Sequence, residues 1–409
     1  MRFAYWFATL AACGTVLTVA ACHDEAPLPT DPPGTGPSAA TTSTALVFRL
    51  ISAGANHTCG VTTDNRAYCW GSDFVGQLGS SGSDSPTPRE VAGNLRWRNV
   101  SSGLDYTCGV TNDDKAYCWG YNGYGKLGTG GVQASVAAVP TIVAGSHSWR
   151  LVRAGENHTC GISTTNVAYC WGNNDHYQLG DGTRWRHTTP TRVQHNLQWR
   201  WITPGFAHTC GVTTDSKAWC IGDNSQGQIG DSTAIEVRKT LVQVHGGFAW
   251  AHLEAGYYHT CGVTQAHVAY CWGPDFSGEL GDGGNMNARS WPIPVSGGLK
   301  FSQIQATQFY TCGLSTDARG YCWGSNPRGE LGDGSTTTRK VPTPLGVPLT
   351  LTQPLSLTQI SAGDSHGCGV TTAGKGYCWG ENRYGAIGDG AQSPQLIRPL
   401  PTPVTAPAN

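Results

Sequence analysis

Residues His57–Gly71, HTCGVTTDNRAYCWG, place two cysteines ten positions apart across a turn. The spacing recurs seven times: Cys59 and Cys69, Cys108 and Cys118, Cys160 and Cys170, Cys210 and Cys220, Cys261 and Cys271, Cys312 and Cys322, Cys368 and Cys378. Only Cys13 and Cys22 fall outside these pairs. Thiols at this spacing admit two chemistries, cross-linking and metal ligation. The turn centres on Asp64, so an antiparallel hairpin sets Cys59 opposite Cys69 with both side chains on one side. That is within reach of a disulfide. A metal would find only two ligands per hairpin, and no CxxC stands anywhere in the chain. The seven pairs are read as disulfides, each contributing roughly 2–3 kcal/mol through loop closure.

Other residues invite a chemical reading and lose it on spacing. His57, His158, His208, His259 and His366 recur at one repeat position, with Tyr106 and Tyr310 in the other two units. Equivalent positions in successive units lie too far apart for one ion, whose ligands stand near 2 Å. A hydrogen-bonded structural role is expected instead. Gly120–Lys126 (GYNGYGK) imitates a phosphate loop, but Leu127 stands where Ser or Thr is required and no helix follows. The Asp-Gly pairs at 181, 282, 333 and 389 read as turns, because the dense acidic spacing of a calcium loop is missing. HExxH and GxSxG are both absent. No catalytic residue, metal ligand or cofactor is assigned.

The elements that carry these residues repeat with the cysteines, about every 50 residues. A first segment such as Phe48–Gly54 is echoed at 97–103, 149–155, 199–205, 250–256, 301–307 and 357–363. HTCGVT follows, then AYCWG, then a Gly-rich loop ending in GQLG, and then a Pro-led strand such as 88–91 or 140–143. Four short strands in each of seven units, with no helical periodicity, predict an all-β, seven-bladed β-propeller. Its blades are four-stranded and antiparallel, each with a disulfide-stapled hairpin.

Ahead of the repeats, residues 1–21 follow a signal-peptide pattern, one Arg and then an apolar run. Val19-Ala20-Ala21-Cys22 resembles a bacterial lipobox, with Cys22 the expected lipidation site. Residues 22–45 are rich in Pro, Ser, Thr and Gly and read as a flexible tether. The propeller occupies 46–409. An exported, membrane-anchored lipoprotein of the bacterial envelope is expected, or else a secreted protein. The only membrane contact foreseen is that lipid anchor. Export agrees with oxidised cysteines. Net charge is −1, which supplies no basic field for nucleic acid.

The pattern GxxHTCxVTxDxxAYCWGxNxxGQLGDG resembles the RCC1 repeat (regulator of chromosome condensation) in a cysteine-paired form. The likeness covers 46–405. It implies a seven-bladed propeller, usually closed by joining strands from both chain ends, and so a role for Leu46–Ile51 and Pro401–Val404 in closure; which strands share a blade is left open. Departures are few: Ile221 replaces the Trp of AYCWG, Tyr177 the Gly of GQLG, and Thr307 the Gly ending a first segment. Residues 346–356 are an addition to unit seven.

Strand parity places the loops after the first and third strands of each unit on one face. The first-loop set includes Leu104, Phe206, Tyr257, Tyr258 and Phe309. The third-loop set includes Phe74, Tyr124, His176, Tyr177, Phe276, Arg383 and Tyr384, with Trp185 and Arg186 added by an extended loop in unit three. These are the residue types of interface hot spots. A non-enzymatic scaffold that binds a protein or peptide through this face is expected. The alternatives are a carbohydrate or cell-wall binder, and a polysaccharide-processing enzyme with two carboxylates converging in a pocket.

Overall fold

A computed structural model describes residues 45–131, 135–194, 196–233 and 235–407. Cys22 and the segments before residue 45 lie outside the described residues. Seven four-stranded antiparallel sheets follow one another along the chain, each ordered in sequence from its innermost to its outermost strand. In blade 1 these are β1 (Phe48–Ala53), β2 (His57–Thr62), β3 (Ala67–Gly71) and β4 (Ser85–Glu90). Blades 2 to 7 span residues 97–142, 149–192, 199–243, 250–294, 301–344 and 357–403.

Every cysteine pair read from the spacing bonds within its own blade. Cys59 is joined to Cys69, Cys108 to Cys118, Cys160 to Cys170 and Cys210 to Cys220. Cys261 is joined to Cys271, Cys312 to Cys322 and Cys368 to Cys378. The partners stand directly opposed in the ladder between second and third strands, with Cα atoms 4.0–4.1 Å apart. No bond crosses from one blade to another among the described residues.

The core is divided into seven clusters, one at each junction between blades. Each joins a disulfide of one blade to the large first residue of the next blade's inner strand. In all but one, the Trp of that blade's third strand completes the cluster. At the first junction Cys59, Cys69, Val61 and Leu78 of blade 1 meet Trp97 and Trp119 of blade 2. The cysteines are therefore packing groups as well as staples. The Trp Nε1–H donates across the junction to a backbone carbonyl, Trp119 to Gln77 and Trp171 to Lys126, both at 2.9 Å. The glycine that ends GQLG lets the indole come this close. A Cβ on Gly79, at φ +70°, would stand 2.7 Å from the Trp119 Nε1.

Inner strands have an unpaired edge facing the axis, and the repeat satisfies it with short hydroxyls. The Ser52 Oγ accepts from the Ser102 N–H of the next blade, Ser101 from Ala154, Thr203 from Ala255 and Ser361 from Ala53. The last of these links closes the ring.

Both chain ends take part in that closure, with Leu46 and Val404 packed against the junction of blades 7 and 1. No blade mixes strands from the two chain ends. Blade 1 is continuous and so is blade 7, and they meet as any neighbours do, through Phe48, Ile51 and Trp70 against Cys368, Cys378 and Ile387. The outer strands also begin before their prolines, at Ser85 and Val136, because a bulge lets them resume pairing after an irregular stretch. Proline is tolerated on this outer edge, which pairs on one side only.

Ile221 marks the one third strand without its Trp. The Gln178 carbonyl therefore receives Thr209 alone. Gly180 is kept, however, and a Cβ there would lie 3.8 Å from Ile221. Ile221→Trp is expected to restore the indole bond and raise stability by about 1 kcal/mol. A lower denaturant midpoint for the variant would show that neighbouring side chains have already taken the space.

Candidate functional site

The recurrent histidines form structural clasps between blades. The His57 Nε2 lies 2.8 Å from the Thr107 Oγ1, and His158–Thr209, His208–Thr260, His259–Thr311 and His366–Thr58 repeat the contact at 2.7–2.9 Å. The Thr107 hydroxyl donates onward to the Gln77 carbonyl, so it accepts from a ring protonated at Nε2. The Nδ1 atoms are buried without a donor. Burial drives these imidazoles to about 3 or 4, which keeps them neutral. Where Tyr replaces His, the hydroxyl reaches the next blade instead, Tyr106 to the His158 carbonyl and Tyr310 to that of His366. Lys126, of the phosphate-loop imitation, is buried and paired with Asp105. No group of three or more metal-ligating side chains occurs among the described residues.

Parity holds, since the Ser72 N–H at the start of the third loop donates to the Asn56 carbonyl in the first. The face it creates divides into separate parts. Residues following the inner strands ring the mouth of the axial channel, a polar cavity of about 260 Å³. There Phe206 stacks on Tyr257 (5.2 Å, 13°), and Tyr258 leans on both. Tyr257 is not a free interface ring. Its hydroxyl donates to the Glu156 Oε2 at 2.9 Å and lies 3.5 Å from the Asp364 Oδ2. Burial and mutual repulsion push the Glu156 carboxyl well up, and burial raises Asp364. Two carboxyls thus do converge, as the hydrolase alternative requires. Yet both shift the same way and a tyrosine fills the space between them, whereas acid–base division of labour needs environments that push two groups apart. Deeper in the channel Arg153 pairs with Glu254 and covers the Trp201 ring at 4.2 Å.

The second part lies on the third loops of blades 2 and 3 and the outer strand of blade 4 (Val237–Gln243). The blade 3 loop is not extended: Asp181–His187 aligns position for position with Asp333–Arg339 of blade 6, and the Trp185 carbonyl accepts from Asn174 as the Thr337 carbonyl does from Asn326. Trp185 is 77% exposed. Arg186 beside it sits over the Tyr124 ring at 4.6 Å and pairs with Asp175 at 2.9 Å. Arg184 and Lys239 each approach the Tyr177 ring at 5.7 Å. Tyr124 and Tyr177 both adopt left-handed backbone, at φ +62° and +63°, which is costly for a bulky residue. The blade residues equivalent to Tyr177 are Gly76, Gly125, Gly227, Gly278, Gly329 and Gly385, all with φ between +76° and +84°. His176 flanks this cluster, half-buried. Phe74 and Phe276 are exposed on blades 1 and 5, and Arg383 covers Tyr384 on blade 7 at 5.2 Å. Phe309 is half-buried beside its own strand. No ring contact joins these last residues to the blade 2–4 cluster among the described residues.

A profile of the regulator of chromosome condensation (RCC1) repeat matches residues 48–77, 97–126, 149–178, 205–228 and 357–386, and a second matches 113–162, 167–212 and 317–370. Together they take in more than half of the chain. The protein belongs to the RCC1-repeat family. It is similar to the human probable E3 ubiquitin-protein ligase HERC6, 29% identical over 153 residues, which are 36% of this chain and 15% of that protein. The match thus spans only a small part of that relative's length. Among solved structures, human WBSCR16 superposes with a TM-score of 0.73 at 19% identity, covering 84% of this chain and 95% of that one. Yeast RCC1 (Prp20), solved with Kap60 bound, gives 0.71 at 18%, covering 88% and 85%. At these identities the structural likeness speaks for the fold alone.

In this RCC1-repeat propeller, Glu156, Asp364 and Lys239 are the residues that sequence reading missed. A signal existed. Taken down the seven units, the position after the first strand reads Ala55, Leu104, Glu156, Phe206, Tyr257, Gln308, Asp364, a ring whose two acids and two aromatics face one axis.

Proposed function

We propose that this RCC1-repeat propeller is an interaction scaffold that captures a protein or peptide through the rim of blades 2 to 4. The observation that carries this is Trp185, an exposed indole where the equivalent loop position of blade 6 holds Thr337, beside two tyrosines, Tyr124 and Tyr177, held in strained backbone. Strain of this kind persists where the surroundings over-determine it, and it concentrates at working sites. That yeast RCC1 (Prp20), a protein of the same fold, was solved with Kap60 bound agrees with the reading. Seven buried disulfides favour an oxidising compartment. An exported protein tethered through Cys22 is accordingly part of the proposal.

The test is an affinity capture with the full oxidised chain, followed by calorimetric titration of whatever is retained. Trp185→Ala is expected to weaken a genuine partner by about 30-fold or more, on the order of 2 kcal/mol for an aromatic anchor. Tyr257→Ala, which acts inside the channel mouth, should change it little. Equal affinity for wild type and Trp185→Ala rejects the rim. Selective retention of a glycan would move the reading to carbohydrate binding.

A further inference from the structure

Three departures from the repeat meet at the junction of blades 3 and 4. Ile221 replaces a core Trp, Tyr177 replaces a rim Gly, and the third loop of blade 3 carries Arg184 and Trp185 where that of blade 6 has Thr336 and Thr337. At the other junctions the Gly gives way to the next blade's outer strand. A Cβ on Gly76 would stand 2.6 Å from the Ala138 Cα, and one on Gly385 would stand 2.4 Å from the Pro86 Cα. The residue facing Tyr177 in that place is Lys239. The phenol ring of Tyr177 stands there instead of a glycine, and two cations, Arg184 and Lys239, gather at it.

Those two cations lack carboxylate partners. Arg184 donates its Nε–H to the Asp175 backbone carbonyl at 2.9 Å and enters no salt bridge among the described residues; neither does Lys239. Asp175 is committed to Arg186 through both carboxylate oxygens. Arg184, Arg186 and Lys239 thus gather at rings that offer flat apolar surface, with Asp175 held by Arg186, Asp181 by His187, and Glu236, three residues from Lys239, in no ion pair with it among the described residues. Each cation lies 5.7 Å from one ring centroid, so the two are at most about 11 Å apart, which an extended chain covers in about three residues.

We propose that the rim of blades 3 and 4 docks an acidic segment of a partner protein, with two carboxylates no more than about three residues apart meeting the cations of Tyr177 and an apolar residue against Trp185. This rests on the capture reading above and names the chemistry of what is captured. Charge complementarity selects the occupant, since a neutral or basic segment would leave Arg184 and Lys239 beside uncompensated charge.

The probe is a randomised twelve-residue peptide library panned against the full chain, with Tyr177→Gly as the counter-screen. That variant installs the residue of the other six blades and relieves the backbone, so it folds. Recovered peptides are expected to carry paired Asp or Glu two or three positions apart. Arg184→Ala and Lys239→Ala should each weaken them about fivefold, more at low salt than high. Recovery of peptides without acidic pairs, but dependent on Trp185, overturns the acidic assignment and leaves the capture reading standing. Peptides that bind Tyr177→Gly and Trp185→Ala as well as wild type overturn both.

Discussion

Acidified from pH 7 to pH 4 with its disulfides intact, the propeller unfolds, and the loss is concentrated below pH 5. Burial holds His57, His158 and His259 at about 3 and His208 and His366 at about 4, against 6.5 for an exposed imidazole. A depressed folded pKa means the unfolded chain binds more protons between those values. The stability is present in full above pH 6.5 and drains as pH falls. At pH 4 each ring costs roughly 3 kcal/mol, so five cost on the order of 15, comparable to the whole stability of a domain. Buried carboxyls oppose this. Glu279 and Glu330, both raised to about 7, return roughly 3 kcal/mol each on the way down to pH 4.5, and Glu156 and Asp364 act in the same sense. Below pH 4.5 the carboxyls are protonated in both states and give nothing more, while the histidines keep drawing protons. The opposing terms flatten the profile from pH 6.5 to 5 and leave the histidines unopposed beneath it.

Tryptophan fluorescence and near-ultraviolet circular dichroism during an acid titration check this directly. A native signal persisting to pH 3 would falsify the assignment of neutral, uncompensated rings. His208→Tyr supplies the internal control. Tyr106 already shows that a phenol at this position bonds the next blade's Thr, at 2.9 Å from the Thr159 Oγ1. His252, which burial also holds at about 4, adds a sixth titrating imidazole. Removing one of the six should lower the acid midpoint by a few tenths of a pH unit.

The same repetition decided what could be read from the sequence. Cys59 opposite Cys69 follows from one hairpin, and seven copies turn a local inference into a global one. The six further pairs that end at Cys118, Cys170, Cys220, Cys271, Cys322 and Cys378 needed no separate argument, because each hairpin carries its own partner. The histidines could be assigned a structural part on distance alone, although not the Thr of the next blade, because that partner lies about 50 residues away and only the ring brings it near. Closure escaped the sequence for a related reason. A family habit suggests shared strands, whereas the Ser361 hydroxyl bonding the Ala53 N–H shows blade 7 meeting blade 1 by the ordinary junction. The binding face was legible as a face but not as a site. Parity placed Tyr257 and Trp185 together, yet nothing along the chain reveals that Tyr257 commits its hydroxyl to Glu156 and Asp364. Departures from the repeat proved the better guide: Tyr177 and Ile221 were visible as exceptions, and both fall at the junction that also carries Arg184 and Trp185.

Replacing Glu279 and Glu330 by glutamine should stabilise the protein by up to roughly 2–3 kcal/mol per site at pH 8 and by almost nothing at pH 4. Both carboxyls are nearly inaccessible, and each accepts backbone N–H groups of its own loop, Phe276 and Ser277 for Glu279 and Arg328 for Glu330. These bonds favour the ionised form, but desolvation outweighs them and sets the pKa at about 7. A raised folded pKa stabilises the protein below the unfolded value of 4.5, and the benefit is lost as pH rises through 7. At 330 a glutamine accepts the single Arg328 bond without the charge, as Gln77 does from Val75 and Gln178 from His176. At 279 the two bonds fall on separate oxygens, so one amide oxygen keeps one of them and the other N–H loses its acceptor, which cuts the gain there. The two sites should differ in size. Glutamine amides elsewhere donate to the residue five positions back, Gln178 to Asn173 and Gln228 to Asp223. Ser325 offers an oxygen to a glutamine at 330, whereas Pro274 offers no side-chain acceptor to one at 279, where a buried amide N–H would go unpaired. Denaturant unfolding at both pH values should therefore rank Glu330→Gln above Glu279→Gln at pH 8. A gain that is the same at pH 4 and pH 8 would mean that packing, and not ionisation, separates glutamate from glutamine in this loop.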